Sequence, residues 1–204
     1  MDPAVGLVNA YLHANGYLTV TEYPLVETRK DGQVRSRTDL DVIAFRFAHV
    51  SPGHRRLSGA MAPAPDPALR VPVDRPDMII GEVKEGTARF NEATRDSRVL
   101  RAGLTRFGCC TPEEADAVVP RLLSHGDALT PAGHHVRMVA FGTAGSEEGF
   151  IEGRLVVELG QVIRFLMEHL AVNRAAFRAA QTHDEVLGIL ALLDKSGVDV
   201  HSLR

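Results

Sequence analysis

Val5, Val8 and Leu12, with Tyr11 beside them, recur at helical spacing over residues 3–15. Pro3 in the first turn and Gly16 beyond the end complete the signature of a short first helix. Residues 17–27 (YLTVTEYPLVE) then turn to Val, Thr and Tyr, the turn signal RKDGQ follows, and RTDLDVIAFRF covers 37–47. Together these predict two strands joined as a hairpin. Pro24 assigns the first of them to an edge or a bulge. Residues 48–76 hold six of the eleven prolines, including the run APAPDPA, and predict an inserted loop. DMIIGEVKEG (77–86) resumes as a strand, apolar at Met78 to Ile80 and polar toward its end.

The pattern lengthens again over 91–107. At 100° per residue Ala93, Leu100, Leu104 and Phe107 share one face, while Asn91, Arg95, Arg98 and Arg106 share the other, predicting a helix that packs on one side and is basic on the other. A second helix follows Thr111, which stands as N-cap before Pro112, Glu113 and Glu114, with Pro120 a candidate kink. Residues 134–142 (HHVRMVAFG) predict a strand, and FIEGRLVV a further one. The stretch 158–180 predicts the longest helix, with a broad apolar stripe from Leu159 to Phe177 that suits a core or a partner-helix face, and a last helix covers 184–195. The order α, β, β, β, α, (α), β, α, α predicts an α/β fold with a mixed sheet covered by helices.

At 204 residues, and roughly 150 residues per domain, the chain is expected to form one domain. Within it, residues 1–142 would make the core, with the proline-rich insertion 48–76, and 143–204 a mainly helical C-terminal extension. No apolar run approaches the ~20 residues of a membrane span, and the start, MDPAVGLVNAYL, lacks a positive n-region and a small-residue cleavage site. The adjacent Cys109 and Cys110 cannot form an ordinary bridge and read as reduced packing residues, so the expected compartment is cytoplasmic. A net charge of −3 excludes a protein that coats nucleic acid by overall charge and leaves room only for a local basic face. His134 and His135 face opposite sides of a strand and cannot share a metal.

Only three lysines, Lys30, Lys84 and Lys195, stand among 23 basic residues. Where Arg is the rule, a Lys raises the question of whether a compact ammonium is needed. Lys30 lies in a polar turn and Lys195 near a helix end, whereas Lys84 follows an apolar strand. Asp39 and Asp41 precede Val-Ile-Ala-Phe on one strand, and Glu82-Val83-Lys84 follows Ile79-Ile80 on another. Because strand side chains alternate, each pair shares a face, and neighbouring strands would bring two carboxylates and one ammonium to one rim. Carboxylates are hard oxygen ligands that hold Mg²⁺ while leaving it several waters, which is the chemistry phosphodiester hydrolysis requires.

A first helix, a strand ending in Asp-Val-Ile-Ala and a strand reading Glu-Val-Lys together resemble the PD-(D/E)XK superfamily of restriction-endonuclease-like nucleases, over about residues 3–110. YLHANGY (11–17) resembles the first helix of its small bacterial members. The resemblance implies an αβββαβ core, Asp41 and Glu82 as ligands of Mg²⁺ or Mn²⁺, Lys84 as catalytic lysine, and DNA as substrate, with RNA the other polymer open to the same chemistry. Asp41 is preferred to Asp39 because it directly precedes Val-Ile-Ala. Asp77, some 16 Å along the strand from Glu82 at about 3.3 Å per residue, reads as a strand-start residue. The basic face Asn91, Arg95, Arg98 and Arg106 is the candidate phosphate contact, against a solvated face with Arg98 pairing to Asp96 or Glu92, and His54-Arg55-Arg56 is a second. The first-helix stretch Ala4-Val5-Gly6-Leu7-Val8 carries no acid, which motivates the alternative of an inactive module on the same fold that binds nucleic acid or a partner protein. The stripe in 158–180 would be the seam of a homodimer or of such a partner.

Overall fold

The computed structural model describes residues 2–50, 64–143, 149–179 and 184–198. Helix α1 (Pro3–Ala14) starts where Asp2 Oδ1 accepts the Ala4 and Val5 N–H groups, satisfying donors that the first turn leaves unpaired. Strands β1 (Leu18–Thr28) and β2 (Val34–Arg46) form the hairpin, longer in its second arm than the sequence pattern indicates, and β3 (Asp77–Thr87) follows the insertion. Helices α2 (Ser97–Arg106) and α3 (Pro112–His125) cross over to β4 (Asp127–Leu129) and β5 (His135–Thr143). A small hairpin, β6 (Phe150–Ile151) and β7 (Arg154–Glu158), precedes α4 (Leu159–Val172), α5 (Arg174–Ala179) and α6 (Glu185–Lys195).

The seven strands form one mixed sheet in the order β1-β2-β3-β5-β7-β6, with β4 paired to β5. β1, β2 and β3 run antiparallel in sequence, and β3, β5 and β7 are parallel. The expectation of an edge or bulge for β1 holds on both counts: β1 is an edge strand, and its register with β2 shifts between Leu25 and Val26. One face of the sheet, with Val42, Ala44, Ile79 and Val139, packs on α1, α4 and α6, and the other, with Ile43, Met78, Ile80 and Met138, packs on α2 and α3. Cys109 and Cys110 are free and buried in the second layer, where burial pushes the Cys109 thiol up to about 11.

Four expectations need correction. The helix drawn over 91–107 begins only at Ser97, because Asp96 caps it by accepting from the Arg98 N–H and the preceding residues form turns. The helix drawn over 158–180 breaks at Asn173, whose Nδ2 donates to the His169 carbonyl while its own carbonyl accepts from Ala176 and Phe177. A side chain that bonds its own backbone competes with helix continuation. The apolar stripe is no partner seam, since Val162, Leu166, Met167 and Leu170 are buried in the chain's own core with α1. The single strand drawn over FIEGRLVV is split into β6 and β7 by a turn in which Glu152 and Gly153 both take positive φ.

Asp77 does more than start a strand. It is fully buried and takes a two-point ion pair from Arg137 (Nε to Oδ1 3.0 Å, Nη2 to Oδ2 2.7 Å), a 2.5 Å hydrogen bond from the Tyr17 hydroxyl and a contact with His135 Nδ1 at 3.1 Å. Burial alone would raise the Asp77 carboxyl, but the bonds from His135 and Arg137 outweigh it and hold the group below the ordinary carboxylate range. The bond to Asp77, against desolvation and with help from Asp127 on the other ring nitrogen, raises His135 above its ordinary value. A folded-state pKa above the unfolded one contributes stability fully present below the unfolded value of about 6.5 and lost as pH rises through the folded value. The midpoint of urea unfolding is therefore expected to fall as pH rises from 6 through that value, and the slope to flatten in His135→Gln; an equal slope in the variant would remove His135 from this linkage.

Candidate active site

The pairing of β2 with β3 runs from Arg46 opposite Asp77 to Val42 opposite Gly81 and stops there. Gly81 makes the last pair possible, because a Cβ at that position would overlap the Val42 side chain and crowd Phe141. Asp41 and Glu82 are the next residues, at the mouth where the strands part. Leu40, Ile43 and Phe45 pack on the α2 and α3 side while Val42 and Ala44 pack on the other, so the alternation of β2 breaks once between Leu40 and Ile43. Across from the break, between the pairs Thr21–Val42 and Tyr23–Leu40, Glu22 adopts φ 51°, a left-handed conformation that costs energy outside glycine and recurs at functional sites. Asp41 lies in this break with its side chain in the gap, and its Oδ2 accepts the Val83 N–H at 2.8 Å.

Glu82 and Lys84 alternate onto the same face of β3. Lys84 Nζ lies 2.5 Å from Glu82 Oε1 and 3.7 Å from Asp41 Oδ2, so one ammonium spans the two carboxylates. Glu82 is only 2% exposed. It is held from the far side by the turn before α2, where Asn91 Nδ2 donates to Oε1 at 2.7 Å and the Thr94 hydroxyl donates to Oε2. Asn91 Oδ1 in turn accepts the Thr94 N–H at 2.6 Å, which closes the turn. Thr94 has one hydroxyl proton, and the carboxylate is the stronger acceptor for it. Asp41 is raised above the ordinary carboxylate value, chiefly by desolvation and then by the charge on Glu82, against the Val83 N–H and Lys84.

A carboxyl whose folded pKa is raised is less stable ionised in the fold than in the unfolded chain, so Asp41 is a cost to stability near neutral pH. Asp41→Asn keeps an oxygen for the Val83 N–H and is expected to leave the unfolding midpoint at pH 7 unchanged or higher. A rim salt bridge whose only role is structural would show the opposite, a clear loss measured by urea titration.

The donor set fits a hydrated Mg²⁺ or Mn²⁺. Such an ion commonly takes one or two carboxylates and keeps waters, and a carboxylate has about four lone-pair sites, so Glu82 with three donors still has room for a ligand bond. Asp41 is 24% exposed at its side chain and Lys84 28%, leaving a solvent path to the cluster. The described residues contain no group of three His, Cys, Asp or Glu side chains that could hold a metal. The cluster sits at the carboxyl end of β3, where open α/β sheets bind their ligands. A cleft of about 350 Å³, lined by Leu18, Ile43, Phe45, Phe107 and His134 among others, lies at the opposite end of β3, beside Met78.

Asp41, Glu82 and Lys84 come together as the strand phases imply, and Asp39 stays exposed, opposite Pro24. The basic face does not assemble. Asn91 turns inward to Glu82, Arg95 pairs with Glu152 at 2.9 Å, Arg98 with Asp96 at 2.6 Å, and Arg106 donates to the Tyr23 hydroxyl at 3.2 Å. Asn91 and Arg95 precede the first helical residue, so the period that aligned them with Arg98 and Arg106 is absent there. His54, Arg55 and Arg56 lie outside the described residues. Thr94 went unnoticed in the sequence; a hydroxyl residue three positions after Asn91, in a turn closing on an acidic strand end, is the signal that would have found it.

Comparison with protein-family models, with curated proteins and with solved structures found no match. Among the described residues, no helix is long and apolar enough to cross a membrane.

Proposed function

We propose that this chain is a metal-dependent nuclease with a restriction-endonuclease-like core, hydrolysing phosphodiester bonds of DNA. The observation that supports it most is the convergence of Asp41, Glu82 and Lys84 at the parting of β2 and β3. The run α1, β1, β2, β3, α2 and α3, β5 follows the αβββαβ order of that fold. Asp41 and Glu82 would hold Mg²⁺, which when bound compensates charge on the scissile phosphate and supplies a water of lowered pKa. Asn91 and Thr94 fix the orientation of Glu82. Lys84 spans the two carboxylates, and with these holding an ion its ammonium would be placed to hydrogen-bond the attacking water or a phosphate oxygen.

The second reading, a non-cutting module that binds nucleic acid or a protein, draws on one observation: Glu82 already has three donors and no third acid stands beside it among the described residues. The deciding experiment is incubation of end-labelled duplex and single-stranded DNA, and of RNA, with Mg²⁺, with Mn²⁺ and with a chelator. The expected result is cleavage with either ion and none with the chelator. Cleavage that survives chelation, or binding with no cleavage under either ion, would overturn the nuclease reading.

Thr94→Val is expected to lower the metal affinity of the cleavage reaction by about 10- to 100-fold, as loss of an outer hydrogen bond to a metal ligand commonly does, with partial recovery in Thr94→Ser. An unchanged metal titration in Thr94→Val would show that Thr94 only closes the turn.

A further inference from the structure

Beyond Tyr23 in β1 and Leu40 in β2 the two strands continue without β3, whose pairing with β2 ends at Val42. Residues 24–39 thus form a two-stranded arm that parts from β3, with the candidate active site at its base and α2 packed under its near end through Tyr23, Leu25 and Leu40. Its far part is exposed throughout residues 29–37. The arm and the α2 start beside it carry Arg29, Lys30, Arg35, Arg37 and Arg98 against Glu27, Asp31, Asp39 and Asp96. Five cations face four carboxylates, a local charge of +1 in a chain whose total is −3.

The compensation is uneven along the arm. Glu27 neutralises Arg35. At the bulge, Leu25 pairs with Thr38 and Val26 with Ser36, so Arg37 is the extra residue, and it reaches Asp96 Oδ2 at 3.1 Å. Arg98 meets the same oxygen at 2.6 Å, so a single carboxylate serves two guanidiniums, and the Arg98 side chain is 72% exposed. Arg29 and Lys30 at the tip make no ion pair with any described residue, although the backbone of Arg29 is fixed by its bonds to Gln33 and Gly32. A bulge re-aims a side chain that regular pairing would place elsewhere, here toward the second cation.

We infer that the β1–β2 arm, through Arg29, Lys30, Arg37 and Arg98, grips the phosphate backbone of duplex DNA alongside the strand segment entering the candidate active site. The inference deepens the nuclease reading and rests on it for the identity of the polymer. Its geometry is consistent with one continuous duplex. At about 3.3 Å per residue, Arg37 stands roughly 13 Å along β2 from Asp41, close to the axial rise of four base pairs at about 3.4 Å each, and the tip lies farther along the same line. Charge complementarity supplies the partner: a chain with net negative charge attracts a polyanion only where its cations are concentrated and incompletely paired.

The test is binding of a fluorescein-labelled duplex, followed by anisotropy with a chelator present so that no cleavage intervenes, for the full chain and for Arg29→Glu/Lys30→Glu. Both side chains are exposed and without ion-pair partners among the described residues, and circular dichroism with urea unfolding confirms that the variant is folded. Affinity is expected to drop at least about tenfold near 0.1 M salt, and the slope of log affinity against log salt to flatten by about 0.9 for each phosphate the arm no longer neutralises. The single alanine variants should each remove up to one such unit. Wild-type affinity and slope in the double reversal, or a full chain that binds anionic lipid vesicles but not the duplex, would overturn the arm assignment. A full chain that binds DNA through the arm yet never cleaves it with Mg²⁺ would leave the arm in place and remove the nuclease reading.

Discussion

Replacing Lys84 with alanine is expected to reduce Mg²⁺-dependent DNA cleavage by at least about 10²-fold while the protein stays folded and still binds DNA. Removing one preorganised donor from a site of developing charge costs roughly 10² to 10³ in turnover. Among the described residues, Lys84 is the only ammonium that reaches both Asp41 and Glu82. Its removal also leaves two carboxylates facing each other with one cation fewer, so the variant should bind the metal no more weakly than the wild type. That pairing of lost turnover with retained or tighter metal binding separates a catalytic lysine from a structural one. Lys84→Arg should not rescue, since a planar fork cannot occupy the compact position between the carboxylates. A Lys84→Ala protein that cuts at the wild-type rate would take Lys84 out of the mechanism.

The second large effect concerns the fold. Arg137→Met should destabilise the protein by about 3–5 kcal/mol, because it strips the two-point partner from an Asp77 buried away from solvent. For a chain of this size each kcal/mol moves the thermal midpoint by about 2–4 °C, so a drop on the order of 10 °C is expected. Arg137 also donates to the Leu69 carbonyl at 2.8 Å, tying the end of the insertion to β5. The double variant Asp77→Asn/Arg137→Met removes the stranded charge and should recover part of the loss. A single-variant change below about 1 kcal/mol, read from the urea midpoint at constant m, would show that His135 and Tyr17 alone compensate Asp77.

The strand phases of Asp41, Glu82 and Lys84 were legible because each lies beside an apolar run whose period of two sets the face. The residues that complete the site were not. The stretch 91–96 fits the helical period of 97–106, but Asp96 caps the helix behind it and Asn91 and Thr94 turn to donate to a buried Glu82. Burial of Asp77 depends on Arg137, sixty positions away, and a local pattern carries no trace of such a partner. Asp66 is a parallel case, buried in the proline-rich insertion where it accepts from the Tyr11 hydroxyl at 2.9 Å and from Gln161 Nε2. The arginines after β3 formed a convincing helical face in projection, yet Arg95 and Arg98 are each drawn to a carboxylate, Glu152 and Asp96. The arm was visible as a hairpin but not as a charge feature, since its overhang depends on where β3 stops pairing.

Crystals of the protein soaked in Mn²⁺ and measured for anomalous scattering test the central claim most directly. The account predicts a manganese peak between the Asp41 and Glu82 carboxylates, at about 2.0–2.3 Å from one oxygen of each, with Lys84 Nζ moved off the line joining them. Carboxylates still bridged by Lys84, with no peak between them at a manganese concentration that supports cleavage, would contradict it.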